Sequence, residues 1–402
     1  MTERFDVAII GGGMVGMSLA VALARAGMGV ALVDKTAMDA QIEPSFDGRV
    51  SAVAYGSRCI LDGIGAWEAM AAQAQPILDI RVSDGNMPFF LHYDHADVGD
   101  APLGYIVENR HIRFALQQAL AGVTLYERTS PQSIERDDSG VTLQLQDGRQ
   151  LRCRLLVAAD GKHSMVRLMA GIKAVEWAYR QTAIVCTIGH GKPHGGLAQE
   201  RFLPAGPFAV LPLPGNRSSL VWVEPAERVG MYLELEGSEF AQEIQERVGG
   251  YLGKVQVQGE RFSYPLSLMH AKSYVSHRLA LIGDAAHAIH PIAGQGVNLG
   301  FRDVAVLSEL VTARFKLGLD IGSDEVLAGY QRWRRFDNVT MLAVTDGLNR
   351  LFGMNLLPVK LARGLGLWTV GQIPPLKRFL MRHAMGLSGD LPEMVRKYRV
   401  DC

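Results

Sequence analysis

The stretch Phe5-Asp6-Val7-Ala8-Ile9-Ile10-Gly11-Gly12-Gly13-Met14-Val15-Gly16 decides how this chain is read. Its first half is a short apolar run rich in β-branched residues; its second half is a glycine turn. A helical pattern then passes through Leu19, Ala20, Leu23 and Ala24 and stops at Gly27, where a C-terminal cap belongs. A second apolar run, Val30 to Val33, ends at Asp34. Strand, glycine turn, helix, strand and acid, in that order, predict a dinucleotide site. Gly11 permits the tight turn, Gly13 lets the backbone approach a pyrophosphate, and Gly16 lets the helix pack closely on the strand. Met14 and Val15 open the helix, whose free N–H groups and dipole favour phosphate. Asp34 stands about 20 residues on, where a carboxylate accepts hydrogen bonds from a ribose. This motif does not separate FAD from NAD.

The composition narrows the function classes. The 41 Lys+Arg cancel the 41 Asp+Glu, which argues against a nucleic-acid binder working through a broad basic face. Hydrophobic residues make up 48% of the 402, which argues against disorder and allows two to three domains. The 44 glycines exceed the usual share of about 7%, so tight turns and close backbone approaches are expected. Cys59, Cys153, Cys186 and Cys402 form no CxxC or metal cluster and read as idle thiols in a reducing compartment. Glu3, Arg4 and Asp6 interrupt any signal peptide, and no apolar run reaches the roughly 18 residues of a membrane span. The expectation is a cytoplasmic, non-spanning chain without a metal site.

Two later motifs address the cofactor. Leu155 to Ala159 reads as a buried strand ending in Asp160-Gly161, with Ser164 and Arg167 following. Leu279 to Ile282 reads as another, ending in Gly283-Asp284-Ala285-Ala286-His287 and leading into Pro291-Ile292-Ala293-Gly294-Gln295-Gly296-Val297-Asn298-Leu299-Gly300. A strand-end acid such as Asp284 can meet a ribityl chain. The Gly-Gln-Gly loop can set N–H groups and a helix N-terminus against the flavin edge that becomes negative on reduction.

Together these motifs resemble the FAD-dependent aromatic hydroxylases related to p-hydroxybenzoate hydroxylase, and more closely their ubiquinone-biosynthesis branch. Phe46-Asp47-Gly48-Arg49-Val50-Ser51-Ala52-Val53-Ala54, the Glu108-Asn109-Arg110 run, the wording from His290 to Val304 and the segment Leu365 to Leu391 carry the second likeness. The resemblance implies FAD contacts at Arg49, Ser51 and Asn109, at Asp160 and Asp284, and along Pro291, Gly294, Gln295, Gly296, Val297 and Asn298, while Arg113 reads equally as a flavin contact or a surface charge on its helix. It links the Asp160 segment also to the passage of NAD(P)H, a transient co-substrate. The implied reaction is ring hydroxylation of a polyprenylated phenol with NAD(P)H and O2, through a flavin hydroperoxide. Other ubiquinone-biosynthesis proteins are the implied partners. His287, His290 and Tyr264 are candidates to assist phenol deprotonation, but the histidines read first as hydrogen-bonding the loop itself, so the catalytic base is left unassigned.

The fold expected is α/β: a Rossmann-type FAD domain (1–75, 100–180 and 275–335) with an inserted, mainly antiparallel sheet for substrate (76–99 and 181–274) and a helical C-terminal segment (336–402). Runs such as Phe208 to Leu213 and Ser219 to Val223 carry the strand pattern of the insertion. Between Gly347 and Gly389 there is no Asp or Glu, while Arg350, Lys360, Arg363, Lys377, Arg378 and Arg382 lie among Leu, Phe, Met and Trp. One-sided charge on an apolar background suggests peripheral contact with an anionic membrane face, the inner one for a cytoplasmic protein. Two other functions share these motifs: an isoprenoid-lipid reductase, and a non-catalytic lipid-binding assembly subunit that retains FAD. A halogenase is disfavoured, since Trp368-Thr369-Val370-Gly371-Gln372-Ile373-Pro374 lacks a WxWxIP element.

Overall fold

The structure is a computed structural model that describes residues 2–38, 48–85, 87, 90–289, 296–354 and 357–397. Strand Thr2–Ile10 is central to a mainly parallel sheet ordered Val275–Ser276, Leu279–Leu281, Gln150–Ala158, Thr2–Ile10, Val30–Val33, Val123–Tyr126. Val7 to Ile10 and Val30 to Val33 are buried throughout, as strands covered on both faces must be, which is why they read as unbroken apolar runs. A hairpin, Pro131–Asp137 and Gly140–Leu145, extends Gln150–Ala158 antiparallel.

Register aligns the strand ends. Ile10 pairs with both Ala158 and Val33, and Ala158 pairs with Leu281. Four parallel strands therefore end level. The residues just beyond them, Gly11, Asp34, Asp160 and Gly283-Asp284, emerge along one rim at the strands' carboxyl ends, where open α/β sheets bind ligands. Helices Met14–Arg25 and Gly296–Lys316 both bury apolar residues against this sheet, with Leu19, Leu23, Phe301, Val304 and Leu307 in one core.

A second eight-stranded sheet runs His287–Ala288, Val255–Ala271, Ala174–His190, Arg217–Pro225, Gly206–Leu213, Leu197–Leu203, Asp79–Asp84, Phe90–Asp94. It is antiparallel except where Leu197–Leu203 meets Asp79–Asp84 in parallel, because the latter strand comes from a distant part of the chain and joins at the edge. Its own core gathers Phe208, Trp222 and Phe240. A three-stranded sheet, Val50–Ala54, Gly104–Glu108 and Gln75–Ile77, completes the strands described. Strand Ala174–His190 and helix Asp324–Gly353 run across residues 180/181 and 335/336, so two of the expected limits fall inside continuous elements.

Helices Leu357–Gln372 and Pro374–Ala384 come next in the chain, the first packed on Asp79–Asp84 and Phe90–Asp94. Arg363, read from sequence as a headgroup ligand, is instead buried, with Nε and Nη2 donating to Asp84 at 2.9 and 3.2 Å. Its Nη1 donates to the carbonyls of Leu351 and Met354 at the end of the preceding helix. Lys377 is engaged too, 2.6 Å from Asp97. Among the described residues no helix is long and apolar enough to cross a membrane.

Candidate flavin site

The glycine turn is shaped by sterics. At Gly11, φ is +109° and a Cβ would stand 2.3 Å from the Ala159 carbonyl oxygen; at Gly16 it would stand 1.9 Å from the Gly11 carbonyl oxygen. Both positions exclude any side chain, and that lets strand and helix approach. Gly13, the residue preceding helix Met14–Arg25, is different: its Cβ would meet nothing within 4 Å. It borders open space at a helix N-terminus, the place for a pyrophosphate. The Met14 carbonyl is taken by Ser18, and Val15 packs between Gly283 and Gly300, joining the first motif to the third.

Asp34 braces this turn. One carboxylate oxygen accepts from Gly12 N at 2.5 Å, the other from the amide and hydroxyl of Thr36 at 2.8 and 2.6 Å. A carboxylate has about four acceptor positions, so capacity for a ribose remains. Asp160 Oδ2 accepts from Val166 N at 3.2 Å, while its Oδ1 is buried with no hydrogen-bond partner among the described residues. Such an orphaned acceptor is open to a donor beyond the described residues, a cofactor hydroxyl among them. Asp284 is reached by solvent but ringed by protein; lost hydration raises its carboxyl group above the usual range, opposed by His287 and Lys162. Arg167 donates to the carbonyls of Ala285 and Lys162, both at 2.9 Å, and so ties the second motif to the third.

A further group lies where the sheets meet. Ser51 Oγ donates to Asn109 Oδ1 at 2.7 Å, and Asn109 N donates to the Arg49 carbonyl at 3.0 Å. Arg49 stands over the Tyr264 ring at 5.9 Å, on the second sheet. Arg113, one turn beyond Asn109, is half-buried. Asn298 is buried with its side chain committed: Oδ1 accepts from Ala54 N and Nδ2 donates to the Ala52 carbonyl, pinning Val50–Ala54 to helix Gly296–Lys316. Gly296 and Val297 form the first turn of that helix. Pro291, Gly294 and Gln295, with His290, lie outside the described residues.

Sequence reasoning missed the buried ions beneath the third motif. Asp303 Oδ2 accepts from Gly283 N at 2.9 Å and from His287 Nε2 at 2.6 Å. Its Oδ1 accepts from Arg334 Nε at 2.8 Å. Burial would raise the Asp303 carboxyl group, but His287 and Arg334 hold it down to about 2. His287 is thereby bound to a structural carboxylate. The one available signal was a charged residue at a core position of an apolar helix, Asp303 between Phe301 and Val304.

The rim, the excluded Cβ positions and the orphaned Asp160 oxygen fit FAD and define a flavoprotein with a Rossmann-type nucleotide site. A family profile described as "FAD binding domain" matches residues 4–335. The chain belongs to that family and is an FAD-dependent monooxygenase. It is 50% identical to "Ubiquinone hydroxylase UbiL" of Rhodospirillum rubrum, over 98% of this chain and 92% of that one. It is 37% identical to the "3-demethoxyubiquinol 3-hydroxylase" of Escherichia coli, over 95% and 98%. In fold it resembles the p-nitrophenol 4-monooxygenase PnpA of Pseudomonas putida, with TM-score 0.79 at 21% identity, over 96% of this chain and 99% of that one.

Proposed function

We propose that this protein hydroxylates the aromatic ring of a polyprenylated phenol in ubiquinone biosynthesis, with NAD(P)H and O2 as co-substrates. The observation that carries the reading is the 50% identity, nearly end to end, with a ubiquinone hydroxylase. FAD, when bound, supplies the redox chemistry and activates oxygen. The residues of this chain bind, orient and shield. Gly11, Gly13, Met14, Val15 and Gly16 receive the pyrophosphate, and Asp34 receives the adenosine ribose. Asp160 and Asp284 take donors from the cofactor's hydroxyl-bearing chain, the first satisfying its orphaned Oδ1. Arg49, Ser51, Asn109 and Arg113 line the flavin from the junction of the sheets, opposite Gly296, Val297 and Asn298 at the helix start. Pro291, Gly294 and Gln295 keep the roles the family resemblance gives them. The sheet containing Tyr264 then closes over the ring of the substrate and excludes water.

The lipid tail bears on location. Three consecutive helices expose apolar stripes at i, i+3 spacing: Phe336 and Val339, Leu365 and Trp368, Leu376 and Phe379, with Phe336 77% and Phe379 59% exposed. Exposed apolar stripes of this kind are what an interfacial helix inserts into a headgroup region. We read this face as the surface that meets the membrane carrying the substrate, with Arg378 and the exposed Arg350 at its edge and Arg363 and Lys377 serving packing. The test is mass spectrometry of a deletion strain. A polyprenylated precursor lacking one ring hydroxyl should accumulate and disappear on complementation; an unhydrogenated isoprenoid accumulating instead would favour the reductase.

A further inference from the structure

Asp303 is fully buried on helix Gly296–Lys316, yet it receives four donors from two places. Gly283 N and His287 Nε2 come from the turn that carries Asp284, Arg334 Nε and Asn338 Nδ2 from helix Asp324–Gly353. Arg334 is itself held by all three nitrogens, with Nη1 on Asp337 and Nη2 on Asn338 Oδ1, both at 2.8 Å. Both Asp303 oxygens are engaged in this buried network, and of its side chains His287 keeps one ring nitrogen, Nδ1, without a partner among the described residues. Buried, low-dielectric hydrogen bonds of this kind hold their geometry stiffly. The turn it grips needs holding. Gly283 has φ +57° and begins the short 3-10 turn Gly283–Ala285, so Asp284 is aimed by a single turn rather than by a long element. Asp303 fixes the residue before Asp284 through Gly283 N, and Arg167 fixes the residue after it through the Ala285 carbonyl.

We propose that Asp303, seated by Arg334, is a positioning residue that aims Asp284 at the ribityl chain of FAD. It touches neither cofactor nor substrate and acts only through the Gly283–Ala285 turn. The inference rests on the reading of Asp284 as a cofactor contact.

A double-mutant cycle on the FAD dissociation constant of the full chain separates the two ideas. Apoprotein variants Asp284→Ala, Asp303→Asn and the double substitution are titrated with FAD, following quenching of flavin fluorescence. Each single variant should weaken FAD by about tenfold, the size of one lost charge-assisted hydrogen bond. The double variant should be no weaker than Asp284→Ala within about threefold, because Asp303 has nothing left to aim. Independent losses that multiply to about a hundredfold would make Asp303 a general fold support and overturn the inference. No weakening by Asp284→Ala alone would remove Asp284 from the flavin site and the inference with it. Should Asp303→Asn fail to fold, Arg334→Lys, which keeps the charge but loses the fork, replaces it in the same cycle and must give the same non-additivity.

Discussion

At the nucleotide end the geometry is set by missing atoms: a Cβ at Gly11 or Gly16 would come within 2.3 or 1.9 Å of a backbone oxygen. In the C-terminal helices it is set by long side chains, above all Arg363, whose guanidinium satisfies Asp84 and two carbonyls at a helix end. The first kind of constraint acts through neighbours in sequence and leaves a spaced pattern of glycines. The second joins residues 279 positions apart and leaves only an arginine among apolar residues, which looks the same whether it faces lipid headgroups or a buried aspartate. Local sterics can be read from a string of residues; a long-range ion pair cannot.

Glycine substitutions break this contrast most sharply. Gly16→Val should cost about 4–5 kcal/mol and leave little folded protein, since strand and helix must part. Gly13→Ala should keep stability within about 1 kcal/mol while FAD retention falls, because its Cβ enters the space reserved for the pyrophosphate. Chemical denaturation and flavin content, measured on both variants, check the pair. If Gly13→Ala also unfolds, the open space at the helix N-terminus is not a ligand site.

Next in size is the arginine comparison. Arg363→Met leaves Asp84 buried without its cation and should destabilise by about 3 kcal/mol or more. Arg350→Gln removes an exposed pair with Asp346 and should cost about 0.5 kcal/mol or less. Equal effects in urea unfolding would mean that both arginines are surface groups, as sequence alone allowed.

The strand ends Val7 to Ile10, Val30–Val33 and Leu279–Leu281 were legible because burial on both faces makes them continuous apolar runs closed by an acid or a glycine. Asp160 and Asp284 were legible for the same reason, each standing one or two residues past such a run. Asp303 and Arg334 were not, because their meaning lies in a contact 31 residues apart across two helices. The parallel pairing of Leu197–Leu203 with Asp79–Asp84 was equally invisible, since period-2 patterning reports a strand but not its partner.

Smaller effects sharpen the reading of the helical face. Replacing Phe336, Trp368 and Phe379 together with Ser should lower binding to liposomes by about 1 kcal/mol per residue, leaving FAD content unchanged. Retained liposome binding would show that these aromatics do not meet lipid. A further effect concerns pH. Burial, with His287 and Arg335 nearby, lowers His270 from 6.5 to about 4, while its ring contacts Tyr274 at 3.0 Å. The unfolded chain therefore takes up that proton first as pH falls. The contribution is full above pH 6.5 and is lost as pH drops through about 4. His270→Gln should flatten the fall in melting temperature across that window; an unchanged slope would assign it to other groups.

The central claim, that the flavin here inserts oxygen into the ring of a lipid phenol, has one direct measurement. Purified holoenzyme, NAD(P)H, isotopically labelled dioxygen and a polyprenylated phenol presented in liposomes are incubated, and the lipid is analysed by mass spectrometry. The account predicts a product carrying one labelled oxygen on its ring, formed in step with NAD(P)H oxidation. NAD(P)H oxidation that yields only peroxide, or a lipid hydrogenated in its tail with no label, would contradict it.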